Sequence, residues 1–413
     1  MSDNRDTESH TGKNFDSRAL IAASMAHFIN DGNSVTFAIL IIYYSSIGLS
    51  LGLLGAIASF YLLISGVVSE RIGYLADTSG RRGLIMSIGI MSLGLSLLLF
   101  SLSFYFIHIN TFFLILGSLF LGIGLSIYHP LGGSIIAYAT QNVNSAKHMG
   151  INGSFGSLGR AVFPTIIIYL VTVLGLVKGL LVFSGVTLIF GLIILSMTRG
   201  FDMRMIKHDP IRNSSVSLYP YRHFVIVLTV LFFLTALYTQ GVTTFIPKYL
   251  ETQYNSKQLA GLATSITYAT PVAGQIILGT LTDKLGGRRI LYLTTVMSVT
   301  VFAGFFATYY VVAKVAVLGL FAFFVYSGFP VVLGYAQQVV PREVAARLNG
   351  IVWGLGNTLG GALGAAFAGL MVDRYGFTFS FFVSWLFGLL AIAFLPIIPR
   401  KELARSNHDL SRV

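Results

Sequence analysis

The chain has 413 residues, of which 55% are hydrophobic and only 10% charged, a balance that excludes an ordinary water-soluble fold. The absence of cysteine excludes disulfides and thiolate metal sites. The net charge of +12 does not point to nucleic acid. The basic residues sit in short loops between apolar runs, the pattern of a membrane protein's inner face.

Residues 1–18 are hydrophilic, carry Arg5, Asp6, Glu8 and Lys13, and show no signal-peptide pattern. They read as a cytoplasmic tail. An N-terminal six-helix bundle is expected over 19–198, with spans Leu20–Tyr44, Leu51–Ile72, Leu84–Ile107, Phe112–Thr140, Gly150–Leu174 and Gly179–Met197. A polar stretch at 199–222 reads as a cytoplasmic interdomain loop. A C-terminal bundle is expected over 223–398, with spans Phe224–Tyr249, Leu259–Leu281, Ile290–Tyr310, Ala313–Val339, Ala345–Val372 and Phe377–Ile398. Residues 399–413 form a second cytoplasmic tail. About twelve spans put both termini on one side. Twenty-one Lys and Arg residues fall on that side, and five on the other: Lys178, Lys248, Lys257, Lys314 and Arg374. This bias predicts a multi-pass protein of the cell (inner) membrane with cytoplasmic termini.

Two loops stand out. Gly73–Arg82 reads GYLADTSGRR and Gly279–Arg289 reads GTLTDKLGGRR, each between two long apolar runs and half a chain apart. The halves repeat elsewhere too. Asn152–Arg160 in the fifth span reads against Asn349–Asn357 in the eleventh, His129-Pro130 against Phe329-Pro330, and Asp31-Gly32 against Gln240-Gly241. The paired loop motif resembles the helix 2–3 signature of the major facilitator superfamily. That resemblance implies an all-α polytopic fold of two pseudo-symmetric six-helix bundles, with a substrate site between them near mid-membrane. It also implies a gating role for Gly73, Asp77, Gly80, Arg81 and Arg82, and for Gly279, Asp283, Arg288 and Arg289.

Where the repeats disagree, the ionisable residues lie in the first half. Asp31 sits inside the first span, where a carboxylate must face a cavity, pair with a cation or be protonated. His27, one turn earlier, shares its face, and Asn30, Asn33, Ser34 and Thr36 continue a polar stripe. Arg160 cannot shed its proton, so it needs an anionic or strongly polar partner. That partner is Asp31 in a structural pair, a substrate carboxylate or phosphate, or both in competition. His129 precedes Pro130, where a kink is expected, and can change charge near neutral pH. Asp31, His27 and His129 are therefore the candidates for proton coupling, with Asp31 first. Arg160, Asn30, Asn33, Tyr128, Gln240, Tyr268, Tyr326 and Asn357 are the candidates for substrate binding. Glycine stripes at Gly356, Gly360 and Gly364 and at Gly153, Gly156 and Gly159 suit close helix packing or sliding contacts.

The first half resembles a narrower group, the fosmidomycin-resistance family, in His27-Phe28-Ile29-Asn30-Asp31, in Tyr128-His129-Pro130 and in the Phe155–Pro164 segment. The resemblance implies a proton-driven exporter of small, often anionic compounds. Leu131 stands where that family tends to carry Glu, and Arg160 where it carries a small residue, which favours a more anionic substrate. The expectation is thus a monomeric secondary transporter of a small organic solute or drug, working by alternating access with proton antiport and no cofactor. Its partners are the small-molecule substrate, protons and the lipid bilayer. Uptake by symport and a non-transporting receptor on the same fold are the alternatives. No metalloprotease, P-loop or nucleophile-elbow pattern occurs, so it is not read as an enzyme.

Overall fold

The computed structural model describes residues 16–140, 145–199 and 217–398. Most of both tails and of the interdomain loop, with the side chain of Asp77, lies outside the described residues. The described residues are helical, without strands. In the first half these are α1 (Ser17–Ser34), α2 (Thr36–Ser46), α3 (Leu51–Ser79), α4 (Arg82–Tyr105), α5 (Asn110–Thr140), α6 (Ser145–Leu174) and α7 (Leu176–Met197). The second half has α8 (Arg222–Thr243), α9 (Ile246–Tyr254), α10 (Lys257–Leu285), α11 (Gly287–Ala307) and α12 (Val311–Tyr326). It ends with α13 (Gly328–Val339), α14 (Arg342–Ile351) and α15 (Leu359–Phe394).

Local chemistry sets the ends. Asp16 caps α1 by accepting from Arg18 N and Ala19 N at 3.1 and 3.2 Å. The long helices α3 and α10 are built alike. Ser50 and Ser256 cap their first turns, and Gly80 and Gly286, at φ of 68° and 88°, end them. Those backbone angles favour glycine, so the two loop motifs carry glycine where a helix must stop abruptly.

Eight stretches among the described residues are long and apolar enough to cross a membrane, one of them, Arg347–Ile397, being 51 residues long. That stretch holds the expected eleventh and twelfth spans, separated at Gly376 (φ 80°) inside α15. The other departures from simple spans have physical causes. The first span is not one helix but α1 and α2, interrupted at Val35. There Asn33 Nδ2 and Ser34 Oγ donate to Ile29 O and Asp31 O at 2.9 and 2.6 Å, so the polar stripe competes for backbone carbonyls. The seventh span breaks in the corresponding place between α8 and α9, where Pro247 opens the new helix. The tenth divides at Ser327 into α12 and α13. The eleventh contains a π-helical segment, Val352–Thr358, between α14 and α15, a feature frequent at functional sites. Pro130 and Pro164 lie inside continuous helices α5 and α6.

The halves pack as two bundles joined along α3 with α15, α6 with α10, and α2 with α9. Asp373 of α15 accepts from Leu51 N and Gly52 N of α3 at 2.9 and 2.6 Å. Thr165 Oγ1 donates to Ser265 Oγ at 2.8 Å, and Gln258 Nε2 to Thr172 Oγ1 at 3.4 Å. In α3 and α10 these bonds lie toward the helix ends opposite Gly80 and Gly286. The stripe glycines serve close packing inside each bundle, except Gly153, which faces Gln275 of α10. A side chain at Gly360 would collide with the Phe233 carbonyl of α8, and one at Gly156 with α1.

Candidate functional site

Asp31, with its side chain 4% exposed, is the centre of the site. Its Oδ2 accepts from Arg160 Nη1 of α6 in an ion pair. The same oxygen lies 3.3 Å from His27 Nε2, one turn back on α1. Oδ1 accepts from Asn30 Nδ2 at 3.0 Å and lies 3.5 Å from His129 Nε2 of α5. One carboxylate thus meets a guanidinium and two imidazoles drawn from three helices.

Small residues make this convergence possible. A Cβ at Gly156 would lie 2.8 Å from Asp31 Oδ2 and overlap His27 Nε2, and one at Gly159 would strike the Phe28 carbonyl. The absence of both side chains lets α6 press onto α1, which brings Arg160 within reach of Asp31. Removing one partner of such a buried pair costs about 3–5 kcal/mol, because the other charge is left uncompensated.

Behind His27 lies a second layer. Asn152 Oδ1 is 2.8 Å from His27 Nδ1, accepts from Tyr128 OH at 2.5 Å, and its Nδ2 donates to Ser24 Oγ at 3.4 Å. The Tyr128 ring stacks on His27 with centroids 4.3 Å apart. On the other side, Arg160 Nη2 donates to Ser157 Oγ at 3.0 Å, and Ser157 Oγ donates to Gln275 Oε1 of α10 at 3.3 Å. The guanidinium lies 5.7 Å from the Tyr326 ring centre, and Tyr326 OH donates to Tyr268 OH at 3.4 Å. The charged cluster therefore belongs to one bundle and touches neutral groups of the other. Arg160 Nε and Asn30 Oδ1 are buried with no partner among the described residues, which leaves donor and acceptor capacity for a ligand. The His129 side chain is 53% exposed while its ring reaches Asp31, so the cluster borders space that protein atoms do not fill.

His27, Asp31 and His129 offer ligand atoms within 4.8 Å of one another. The oxygen facing His27 already holds Arg160, so a guanidinium occupies the place a metal ion would need.

The structure brings together Asp31, His27, His129, Arg160, Asn30 and Tyr128, with Tyr268 and Tyr326 opposite. Three candidates lie apart from this cluster. Asn33 bonds the backbone of its own helix, Gln240 Nε2 donates to Thr244 Oγ1 at 3.2 Å, and Asn357 lies in the π-helical segment. The loop residues Gly73, Gly80, Arg81, Arg82, Gly279, Asp283, Arg288 and Arg289 lie where α3 passes to α4 and α10 to α11. Asp283 and Arg289 are exposed, Arg82 is buried, and Arg288 Nε donates to Ile398 O at 3.2 Å. Asn152, Ser157 and Ser24 are site residues that the sequence reading did not single out. The one available signal was Asn152, which opens the segment repeated at Asn349.

The family model described as Major Facilitator Superfamily matches residues 20–352 and, in a second match, 228–411. The uncharacterized MFS-type transporter YfnC of Bacillus subtilis (strain 168) is 26% identical over 400 residues, covering 92% of this chain and 90% of that protein. Among solved structures, a bacterial homolog of the human lysosomal transporter Spinster, inward-facing and occupied, superposes with a TM-score of 0.74. It is 15% identical, with 92% of this chain and 96% of that one covered. A D-xylose-proton symporter superposes with a TM-score of 0.72 at 15% identity, covering 93% and 98%.

Proposed function

The chain belongs to the major facilitator superfamily of membrane transporters, and from that premise we propose that it moves a small organic anion across the cell membrane with proton coupling. The single observation that supports this most is the shared carboxylate: Asp31 is held at once by Arg160 and by two imidazoles. A substrate carboxylate or phosphonate competes with Asp31 for the guanidinium, whose planar fork suits both. Once the substrate holds Arg160, Asp31 has lost its permanent counter-charge, and a proton on the cluster replaces it. Anion and proton therefore favour each other's binding. Tyr268, Tyr326 and Gln275 contribute neutral contacts from the second bundle, and alternating access carries the loaded site between the two faces.

This positive linkage favours uptake by symport. Export by proton antiport is the second reading, supported by the resemblance of the His27–Asp31 and Tyr128–Pro130 segments to the fosmidomycin-resistance exporters. The loop motifs act as gates at the face nearer the termini, and the chain works as a monomer with both termini in the cytoplasm.

A thermal-shift screen of the purified protein against carboxylates, phosphonates, sugars and hydrophobic drugs tests the substrate class. Proteoliposome transport of the best hit under an imposed pH gradient tests coupling and its direction. Carboxylates or phosphonates should stabilise the wild type. The double variant Arg160→Ala, Asp31→Asn keeps charge balance and should lose that stabilisation. Equal binding by the double variant would make Arg160 a structural partner only.

A further inference from the structure

The seam between α3 and α15 keeps one antiparallel register. A Cβ built on Gly52 would meet Asp373 and Leu370, one on Gly55 would meet Gly369, and one on Gly66 would meet Thr358. Fourteen residues along α3, from Gly52 to Gly66, are thus matched by fifteen back along α15, from Asp373 to Thr358. Beyond Thr358 the seam stops. Gly354 and Gly350 are exposed, and a Cβ on either meets nothing within 4 Å among the described residues. On the other helix, a Cβ on Gly73 meets Pro130 of its own bundle at 3.7 Å and nothing from the second bundle. The α6–α10 seam also parts toward the Gly286 loop. Gly153 still meets Gln275, whereas Gly150 and Gly279, about one turn further on, meet nothing within 4 Å.

The α3–α15 seam parts at the π-helical segment Val352–Thr358, where Leu359 N–H donates to Gly354 O, five residues back. Such a turn holds one residue more than an α-turn. The repeat does not require it. Gly159 packs on the Phe28 carbonyl of α1 as Gly364 packs on the Leu237 carbonyl of α8, and Gly156 faces Asp31 as Gly361 faces Gln240. In this packing register, which differs from the sequence match of Asn152 to Asn349, the segment corresponds to residues 147–153 of α6. Those residues are continuous α-helix.

We propose that the π-helical segment is a hinge. As α14 closes on the part of α3 between Gly66 and Gly80, the segment absorbs its extra residue and becomes α-helix. Leu359 N–H then passes from Gly354 O to Leu355 O, so that no backbone bond is lost. Gly73 lies seven residues on from Gly66, and Ile351 seven back from Thr358, so between two plain α-helices this pair extends the seam. With the extra residue kept, the position facing Gly73 is one residue away, at Gly350. The conversion turns α14 by about 100° about its axis, one residue's share of an α-turn. Meanwhile α15 stays in place, packed on the α8 backbone through Gly360 and Gly364. The inference deepens the alternating access proposed above and rests on it.

The chain has no cysteine, so cysteines introduced in pairs report the closure. Gly73→Cys is combined with Ile351→Cys or with Gly350→Cys in the full-length protein, and disulfide formation under mild oxidation is followed in proteoliposomes. Bridging requires Cα atoms within about 7 Å and side chains that point at each other. The Gly73–Ile351 pair should bridge about ten-fold faster than the Gly73–Gly350 pair. Faster bridging of the Gly350 pair would mean that α14 closes with the π-helical segment kept, and overturns the proposal. No bridging of either pair would mean that α14 does not dock on α3, and overturns it as well. Should Gly73→Cys prevent folding, Glu70→Cys, one turn nearer Gly66, repeats the comparison with Gly354→Cys against Trp353→Cys. The measurement uses no substrate, so each result leaves the binding and transport assays above to be decided separately.

Discussion

Asp373→Asn should loosen the closure at the face where α3 begins, opposite the Gly80 loop. Asp373 Oδ1 and Oδ2 accept from Leu51 N and Gly52 N at 2.9 and 2.6 Å. These are two of the first amides of α3, which have no partner within the helix. A carboxylate there also meets the positive end of the helix dipole. Ser50 Oγ already serves the next amide, Leu53 N, at 3.2 Å, so Asp373 completes the cap from the opposite bundle. Asparagine fits the same space, loses the charge and turns one acceptor into a donor aimed at a backbone N–H. A buried charged hydrogen bond is worth more, but the Leu51 contact is exposed. The net loss is on the order of 1–2 kcal/mol, a factor of roughly 5–30 in the balance of closed and open forms. The chain has no cysteine, so a single Ser265→Cys reports cleanly. Ser265 is buried against Thr165 across the bundle boundary. An impermeant maleimide added at that face should label Ser265→Cys faster by about that factor when Asp373→Asn is present. Equal labelling rates in the two backgrounds would show that the contact does not hold the bundles together.

Gly156→Ala places a methyl 2.8 Å from Asp31 Oδ2 and onto His27 Nε2. It should cost about 1–3 kcal/mol as an overpacked contact, seen as a lower melting temperature, while Gly279→Ala, which meets nothing within 4 Å, should melt like the wild type. Arg160→Lys keeps the charge but not the two-pronged fork, and should weaken binding of a carboxylate or phosphonate by about 1–3 kcal/mol, measured by calorimetry with the screened ligand. Asp77→Asn should impair transport in proteoliposomes while the protein remains folded and inserted. Single cysteines replacing Thr78 and Tyr309, both exposed, should be labelled from opposite faces of right-side-out vesicles, Tyr309→Cys from outside.

The fold was legible because its determinants are local and repeated. Apolar runs separated by charged turns fix the number of spans, and the two loop motifs show that the halves correspond. The interruptions were not legible, since hydropathy averages over the few residues that cause them. The break at Val35 depends on Asn33 and Ser34 turning back onto carbonyls, and the π-helical segment 352–358 has no compositional mark. At the site, Asp31, His27, His129 and Arg160 could be named because a titratable or cationic group inside an apolar run demands an explanation. Asn152 and Ser157 carry no charge, and their importance comes from which groups they face across α1, α5 and α10. No one-dimensional pattern encodes that.

The placement of the cluster bears on how bundle movement can reach it. Asp31, His27, His129 and Arg160 all lie on α1, α5 and α6 of the first bundle. A rigid rocking of one bundle against the other therefore leaves their mutual distances unchanged. What rocking does alter is the second side of Arg160. Ser157, which accepts from Arg160 Nη2, donates in turn to Gln275 of α10, and the Tyr326 ring lies 5.7 Å from the guanidinium. Both neighbours belong to the second bundle. When they withdraw, Arg160 loses neutral contacts and is held more firmly by Asp31. On the proton-coupled transport proposed above, their closing around it completes a site in which a ligand competes with Asp31. On that same proposal, the two bundles communicate through this guanidinium, and the proton responds at one remove, through the carboxylate that Arg160 holds or releases.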